Sequence, residues 1–420
     1  MADHENPEFV MSQVKLAAAD KAAGDVRRAI SLLEQTLAGS QRALGADNLV
    51  TAAVRNNLAA AYRAAGEPQR AIPLLEQAVA DTERALGNED QVTLAFRSNL
   101  AAVYQDTGEV RLAIRLYEQT LTIQERVLGG EDPRILGTQN ALAGSYAAAG
   151  EVRRALPLLE RVAADGERLL GADHPETLSY RNNLAMACQA AGEIRRVLPL
   201  LERVAADGER LLGADHPDTL SYRNNLAAAY RELGDVQRAI PLYEQVLADR
   251  RRVLGDDHPH TLTSRNSVAA YLRKLGETQA AREVDEDTLA RRRRVLGLDH
   301  PDTLTSQSNL GRDLSRLGMH QEARELVADT LARRRKVHGD DHPWTLITAS
   351  NLAFELRELG EAEAARDLDA DTLARRRRVL GDDHPQTLNS ARNLADDLEQ
   401  LGDQHAARAL RAEVRHRRSG

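Results

Sequence analysis

At 420 residues the chain exceeds the ~250–300 residues at which one hydrophobic core stops growing, so it either divides into domains or grows in one dimension. Aromatic residues supply only 3% and charged residues 29%, with strong helix formers such as Ala, Leu, Arg and Glu prevailing; this composition excludes a thick aromatic core. A formal net charge of −8 excludes a surface that is basic throughout, and a single cysteine, Cys188, excludes an intrachain disulfide.

The first residues, Met-Ala-Asp-His-Glu-Asn-Pro, are acidic and polar, unlike a signal peptide, and residues 1–8 are expected to form a flexible lead. No window approaches the ~18 apolar residues of a membrane span. A soluble, cytoplasmic protein is the default expectation. Only four lysines (Lys15, Lys21, Lys274, Lys336) accompany the many arginines, a bias that hints at a GC-rich, bacterial genome.

From residue 9 to 418 the chain repeats itself. Glycines fall 42 residues apart at Gly24, Gly66, Gly108, Gly150, Gly192, Gly234, Gly276, Gly318, Gly360 and Gly402. A second series lies midway, at Gly45, Gly87, Gly129, Gly171, Gly213, Gly255, Gly297, Gly339 and Gly381, and marks the repeat boundaries. A glycine just past a helix closes its last turn without a Cβ clash, so the spacing predicts ten hairpins of helix A and helix B. Six repeats begin helix A with His-Pro-x-Thr-Leu, at His174, His216, His258, His300, His342 and His384. Proline suits the first helical position, and the preceding histidine is placed to cap. Within the sixth repeat Leu220, Leu226, Ala227, Tyr230 and Leu233 follow a 3.6-residue period, as do Val236, Ala239, Ile240, Tyr243 and Val246. Prolines at Pro73, Pro157, Pro199 and Pro241 are expected to bend helix B or delay its regular start.

The pattern Asn224-Asn225-Leu226-Ala227 with Tyr230, Gly234 and Ala239, repeated from Asn56 to Ala71, resembles the tetratricopeptide repeat. The 42-residue length and the Leu-Gly-x-Asp-His-Pro link from Leu254 to Pro259 resemble its kinesin light chain subtype. The resemblance implies an all-α, right-handed superhelical solenoid with helix A inside and helix B outside. It further implies a non-catalytic scaffold that binds an extended peptide or partner segment in the concave groove. Such repeats also occur beside signalling NTPase modules, so a sensor arm serving an NTPase or protease on another chain is the alternative. Arg55, Arg97, Arg181, Arg223 and Arg265 stand where the family places tryptophan or leucine.

Four constellations invite a functional reading. Asn57, Asn99, Asn183, Asn225, Asn309, Asn351 and Asn393 recur nine residues before a hinge glycine. In the resembled family this position lines the groove; the plainer reading has the amides bonding across repeats, and both can hold. Glu34, Glu76, Glu160, Glu202 and Glu244 precede Arg55, Arg97, Arg181, Arg223 and Arg265 by 21 residues. Where the acid becomes Ala328 or Ala370 the partner becomes Ala349 or Ala391, which predicts a structural ion pair between repeats. Basic runs at 250–252, 291–294, 333–336 and 375–378 are expected to be solvated helix ends, with a phosphate-binding convex ridge as the sharper reading. No aromatics interleave them, which argues against base recognition and leaves weak nucleic-acid association as the remaining alternative.

The histidines, one per repeat, stand too far apart to share a metal and read as caps. No phosphate loop, His-Glu-x-x-His or Gly-x-Ser-x-Gly occurs, so no enzyme, cofactor, metal or small-molecule substrate is expected. Cys188 takes the core tyrosine position of its repeat. Trp344 is either a helix-start anchor or a partner contact. Exposed terminal repeats leave self-association open.

Overall fold

The computed structural model describes residues 7–22 and 25–419. The hinge position Gly24 and residues 1–6 of the expected flexible lead lie outside them, and Pro7 and Glu8 already belong to the first helix. Among the described residues twenty helices form and no strand. The helix A series is α1 (Pro7–Ala22), α3 (Leu49–Ala64), α5 (Gln91–Asp106), α7 (Arg134–Ala148), α9 (Pro175–Ala190), α11 (Pro217–Leu233), α13 (Pro259–Leu275), α15 (Pro301–Arg316), α17 (Pro343–Glu358) and α19 (Pro385–Gln400). The helix B series is α2 (Val26–Ala43), α4 (Pro68–Leu86), α6 (Val110–Leu128), α8 (Val152–Leu169), α10 (Ile194–Leu212), α12 (Val236–Leu254), α14 (Thr278–Val295), α16 (His320–His338), α18 (Ala362–Leu380) and α20 (Gln404–Ser419). They group into two compact units that meet in sequence between Ser264 and Arg265. Each unit is an α-α solenoid in which every helix packs on the helix before and after it.

The start of helix A is over-determined. His174, His216, His258, His300, His342 and His384 each accept, through Nδ1, the backbone N–H two residues on, at 3.1–3.2 Å. Asn48 and Asp90 do the same with a side-chain oxygen. The threonine that follows reaches backwards. Thr177 donates to the carbonyls of Gly166 and Gly171, and Thr219 to that of Gly208, so the hydroxyls tie the end of helix B to the next helix A.

Two different glycine conformations close the helices. Gly234 adopts φ 78°, ψ 10°, the left-handed cap, and Asp235 N–H returns to the Tyr230 carbonyl. Gly87, between repeats, adopts φ 92°, ψ 167°, a region that only glycine occupies readily. Helix B starts two residues past the hinge glycine whether or not proline follows: α6 lacks one and α8 carries Pro157, yet Val110 and Val152 open them at the same register. The expected delay is absent, because helix initiation is set by the hinge and not by a proline five residues further on.

Ala71, Ala113, Ala155 and Ala239 on helix B, and Ala59, Ala101, Ala143 and Ala227 on helix A, are fully buried where the backbones approach. One contact between helix B and the next helix A takes two forms. Gly166 and Gly208 lie against the rings of Tyr180 and Tyr222, so that a Cβ would stand 2.8 and 2.9 Å from a ring carbon. In later repeats the glycine becomes arginine and the tyrosine becomes Ser or Thr. Arg250, Arg292, Arg334 and Arg376 then donate to Ser264, Ser306, Thr348 and Ser390 at 2.8, 3.0, 2.7 and 2.5 Å. Gly166→Ala is expected to cost about 1–3 kcal/mol through overpacking, offset by about 1 kcal/mol of helix propensity. Adding Tyr180→Ser should relieve the overpacking. Urea denaturation of the single and double variants checks both.

Candidate binding face

The Asn series occupies the exposed side of the helix A layer. Its amides form rungs between neighbouring helices. Asn99, Asn183 and Asn225 donate through Nδ2 to Asn56, Asn140 and Asn182 of the preceding helix A, at 2.8, 3.1 and 3.0 Å. Asn57 bonds the Ala53 carbonyl of its own helix. Each rung spends one N–H of an amide that offers two donors and an acceptor oxygen, so packing consumes part of the capacity and leaves the rest on the surface. In the second unit Asn309, Asn351 and Asn393 are half-buried at the same register. There the rungs lapse: the acceptor positions become Ser308 and Ser350, and Asn266 turns to Ser306.

Between α5, α7 and α9 the same face sinks into a trough of about 650 Å³. Its floor includes Leu94 and Tyr117; Ser98, Asn99, Thr138 and Arg134 supply polar groups. α7 presents Gly137 there, and a Cβ on it would crowd no neighbour.

The expected Glu–Arg pairs are corrected, since both members find other partners. Arg55 meets Asp81 at 2.6 Å, Arg97 meets Glu83, Arg181 meets Glu167 and Arg223 meets Glu209, each at 2.6 Å, and Arg265 meets Asp287. Glu34, Glu76 and Glu202 instead accept the hydroxyls of Tyr62, Tyr104 and Tyr230 in the next helix A. Glu160, whose repeat is followed by Cys188 in place of tyrosine, pairs with Arg196. Glu244 is exposed. Arg55 and Tyr62 lie two turns apart on one stripe, and position counting cannot tell which of them the acid will meet. Arg70, Arg154 and Arg238 complete the cluster by lying 4.0, 3.9 and 4.5 Å over the rings of Tyr62, Tyr146 and Tyr230. Burial, and then the adjacent carboxylate, pushes Tyr62, Tyr104 and Tyr146 up to about 12, so each keeps its proton and donates it.

The basic runs are solvated helix ends, as expected, except at one residue each: Arg250, Arg292, Arg334 and Arg376 are buried in the inter-repeat contact. The flanking cations are engaged at the surface. Arg291 and Arg375 bond the acid one turn earlier, Asp287 and Asp371, as their spacing predicts, and Arg333 joins Asp329 and Asp299. Arg378 and Lys336 reach back to Asp341 and Asp299 of the linkers.

Sequence reading missed the most unusual polar feature. Asp285 and Asp369, fully buried in α14 and α18, stand at a register where Leu33, Leu75, Leu159 and Leu201 build the core of other repeats. Arg273 Nη1 lies 2.5 Å from Asp285 and 3.0 Å from Asp313. Arg357 likewise bridges Asp369 and Asp397, at 3.3 and 2.6 Å. Between these junctions His320 bonds Glu355 at 2.9 Å. Burial, with the second carboxylate opposing Arg273, pushes Asp285 up to about 7; burial and Asp397 push Asp369 up to about 8. Asp369 Oδ1 and Asp397 Oδ2 have no protein donor, as two carboxyl groups sharing a proton require. An internal comparison of repeats, which exposes Asp at a leucine position, was the available signal.

Cys188 is fully buried and its thiol is pushed up by that burial, which suits packing and opposes a nucleophilic role. His338 stacks on His342 at 4.5 Å and is lowered to about 3 by burial and by that neighbour. Among the described residues no three His, Cys, Asp or Glu side chains are grouped to hold a metal, and no helix is long and apolar enough to cross a membrane.

No curated protein matches the chain. It is similar to a solved Podosopora anserina structure, described as a kinesin light chain of nearly identical TPR-like repeats, at 38% identity over 49% of this chain and 97% of that one, with a TM-score of 0.42. A Rap protein complexed with competence and sporulation factor is 11% identical over 89% of this chain and 98% of its own, with a TM-score of 0.55. The apo quorum sensor NprR from B. thuringiensis is 14% identical over 83% and 93%, with a TM-score of 0.53. The tetratricopeptide repeat family matches residues 9–84, 92–164, 134–206, 198–252, 224–294, 266–336, 302–377 and 348–414. With matches of that extent, on a fold of capped helix hairpins, the chain belongs to the tetratricopeptide repeat family.

Proposed function

We propose that the chain is a non-catalytic scaffold that holds an extended segment of another protein along the helix A face of its first unit. The trough across α5, α7 and α9 carries this reading, because it offers apolar floor and unspent amide groups side by side. An extended backbone has one N–H and one C=O per residue to satisfy, and the Asn rungs from α3 to α5 and from α7 to α11 retain donors and acceptors. The Rap protein, of this fold, was solved with a factor bound, which is a precedent for a ligand and not an identification of one. Each arginine run buries one residue and pairs others with nearby acids, which leaves less free cationic surface for a phosphate-binding ridge.

Gly137→Trp supplies a discriminating test. Its Cβ meets nothing, so the helix should be at least as stable, while the indole fills the trough. Displayed unstructured 12-residue peptides selected on the wild-type chain are expected to lose at least 10-fold in affinity on this variant. Replacing Asn99, Asn183 and Asn225 together by alanine should weaken them similarly without lowering the melting temperature. Selected peptides indifferent to both changes would sink the proposal.

A further inference from the structure

One linker of the second unit departs from all the others. At eight of the nine boundary glycines the preceding residue is leucine, as at Leu254, Leu296 and Leu380; before Gly339 it is His338. His338 ends α16, is only 7% exposed, and stacks on His342, the cap of α17, with ring centroids 4.5 Å apart. A titratable ring therefore fills a place that every other linker gives to an aliphatic side chain. Its Nδ1 has no hydrogen-bond partner among the described residues.

His342 is buried as well, and it holds the start of α17. Its Nδ1 accepts the Trp344 N–H at 3.1 Å and its carbonyl accepts the Leu346 N–H at 3.0 Å, which together close the first turn. An imidazole nitrogen that accepts a hydrogen bond has no place for a proton, so this cap exists only while the ring is neutral. The surroundings oppose a further charge. Arg334, one turn earlier on α16, His342, and His300 at the cap of α15 all bear on His338, and each is cationic or becomes so on protonation. The linker carboxylates that could offset them are held elsewhere: Asp299 by Arg333, Asp340 by Arg335 and Asp341 by Arg378. Arg334 is itself fixed by Thr348 and the Trp344 carbonyl, and lies 5.3 Å from the Trp344 ring centroid. Protonating either histidine thus sets a cation beside the guanidinium that anchors the same turn.

We infer that His338 and His342 form an acid-released latch between the eighth and ninth repeats, which holds the first turn of α17 while both rings are neutral and frees it when either gains a proton. The inference does not depend on the amide trough of the first unit. Burial, and then its cationic neighbours, lower His338 to about 3 in the closed junction, against 6.5 for an ordinary histidine. Between those values the open junction binds a proton that the closed one refuses. Opening therefore becomes about tenfold more favourable for each pH unit lost below 6.5.

His338→Leu, which installs the residue of the other linkers, tests the latch. Hydrogen exchange at the Leu346 amide reads the first turn of α17. The Leu94 amide, bonded at 3.0 Å to the carbonyl of the Asp90 cap, is a control without histidine. From pH 7 to pH 5 the protection factor of Leu346 should fall at least about 10-fold more in the wild-type chain than in His338→Leu. Leu94 should behave alike in both. Asp285 and Asp369 titrate in both proteins and cancel from the comparison. His342→Asn, which copies the Asn48 cap, should keep Leu346 protected at pH 7 and lessen its loss in acid. Followed by NMR, the His338 ring of the folded chain should gain its proton well below 6.5. A midpoint at the ordinary value, or equal acid losses at Leu346 in the wild-type chain and His338→Leu, would overturn the inference.

Discussion

Arg273→Ala is expected to destabilise the second unit by about 3–5 kcal/mol at pH 7, the usual consequence of removing one member of a buried ion cluster. The guanidinium balances Asp285 and Asp313, both fully buried, and without it one carboxylate remains charged in the core. The pair can respond only by binding a second proton, so the deficit should shrink as pH falls. Combining Arg273→Ala with Asp285→Leu and Asp313→Ala copies the arrangement of Leu201 and Ala229 in an earlier repeat. Well-packed apolar replacements of buried ion clusters are often neutral or stabilising, so the triple variant should regain wild-type stability or exceed it. Because repeats support only their neighbours, the loss should be local. Hydrogen exchange should rise in α13 to α16 and stay unchanged in α3 to α8. Uniform loss across both units would contradict the nearest-neighbour account.

Stability of the second unit should fall as pH rises from about 7 to 8.5, the reverse of ordinary acid denaturation. Asp285 and Asp369 titrate near 7 and 8 in the folded chain and near 3.8 when unfolded. Between those values the folded state binds more protons than the unfolded state, so the slope of unfolding free energy against pH is negative. The contribution is fully present below the unfolded value and is lost as pH passes the folded ones. The facing charged groups include Arg273, Arg292, Arg312 and Asp313 at Asp285, and Arg357, Asp397 and Arg376 at Asp369. Carboxylates with lowered values, such as Asp132 at about 2 beside Arg134, act in the opposite sense only below about pH 4, and the buried His338 and half-buried His384, lowered from 6.5, do so only up to about pH 7, so the decline is read above that value. Urea midpoints measured across pH 7–8.5 should therefore decline for the wild-type chain. The decline should flatten in Asp285→Asn combined with Asp369→Asn, an amide being uncharged throughout. A wild-type midpoint that climbs over this range would refute the shared-proton assignment.

How much of this was legible beforehand depended on range along the chain. Helix termini were, because a proline at the first position, a cap before it and a glycine after the last turn act within a few residues. His174 and Gly234 behave as their local chemistry requires whatever packs nearby. The alanine rows were legible for the same reason, since a 42-residue period repeats one contact. Which side chain meets which across two helices was not. Glu34 chose Tyr62 over Arg55, a decision made by the angle at which helices stack. Arg292 vanished into the interior although its neighbours in the same run face solvent. A run of like residues conceals such a division, because successive helical positions turn 100° apart and only packing says which angle faces inward.

The sequence by itself determined the number of helices, their ends, their pairing order and the absence of chemistry-bearing motifs, all of which follow from local propensity repeated at fixed intervals. Tertiary structure alone decided that two pairs of aspartates are buried together beside an arginine, that each arginine run sends one residue into the core, and that Trp344, Ile347 and Phe354 stay exposed on one helix. Those outcomes depend on azimuth and on desolvation, quantities that exist only once helices have neighbours.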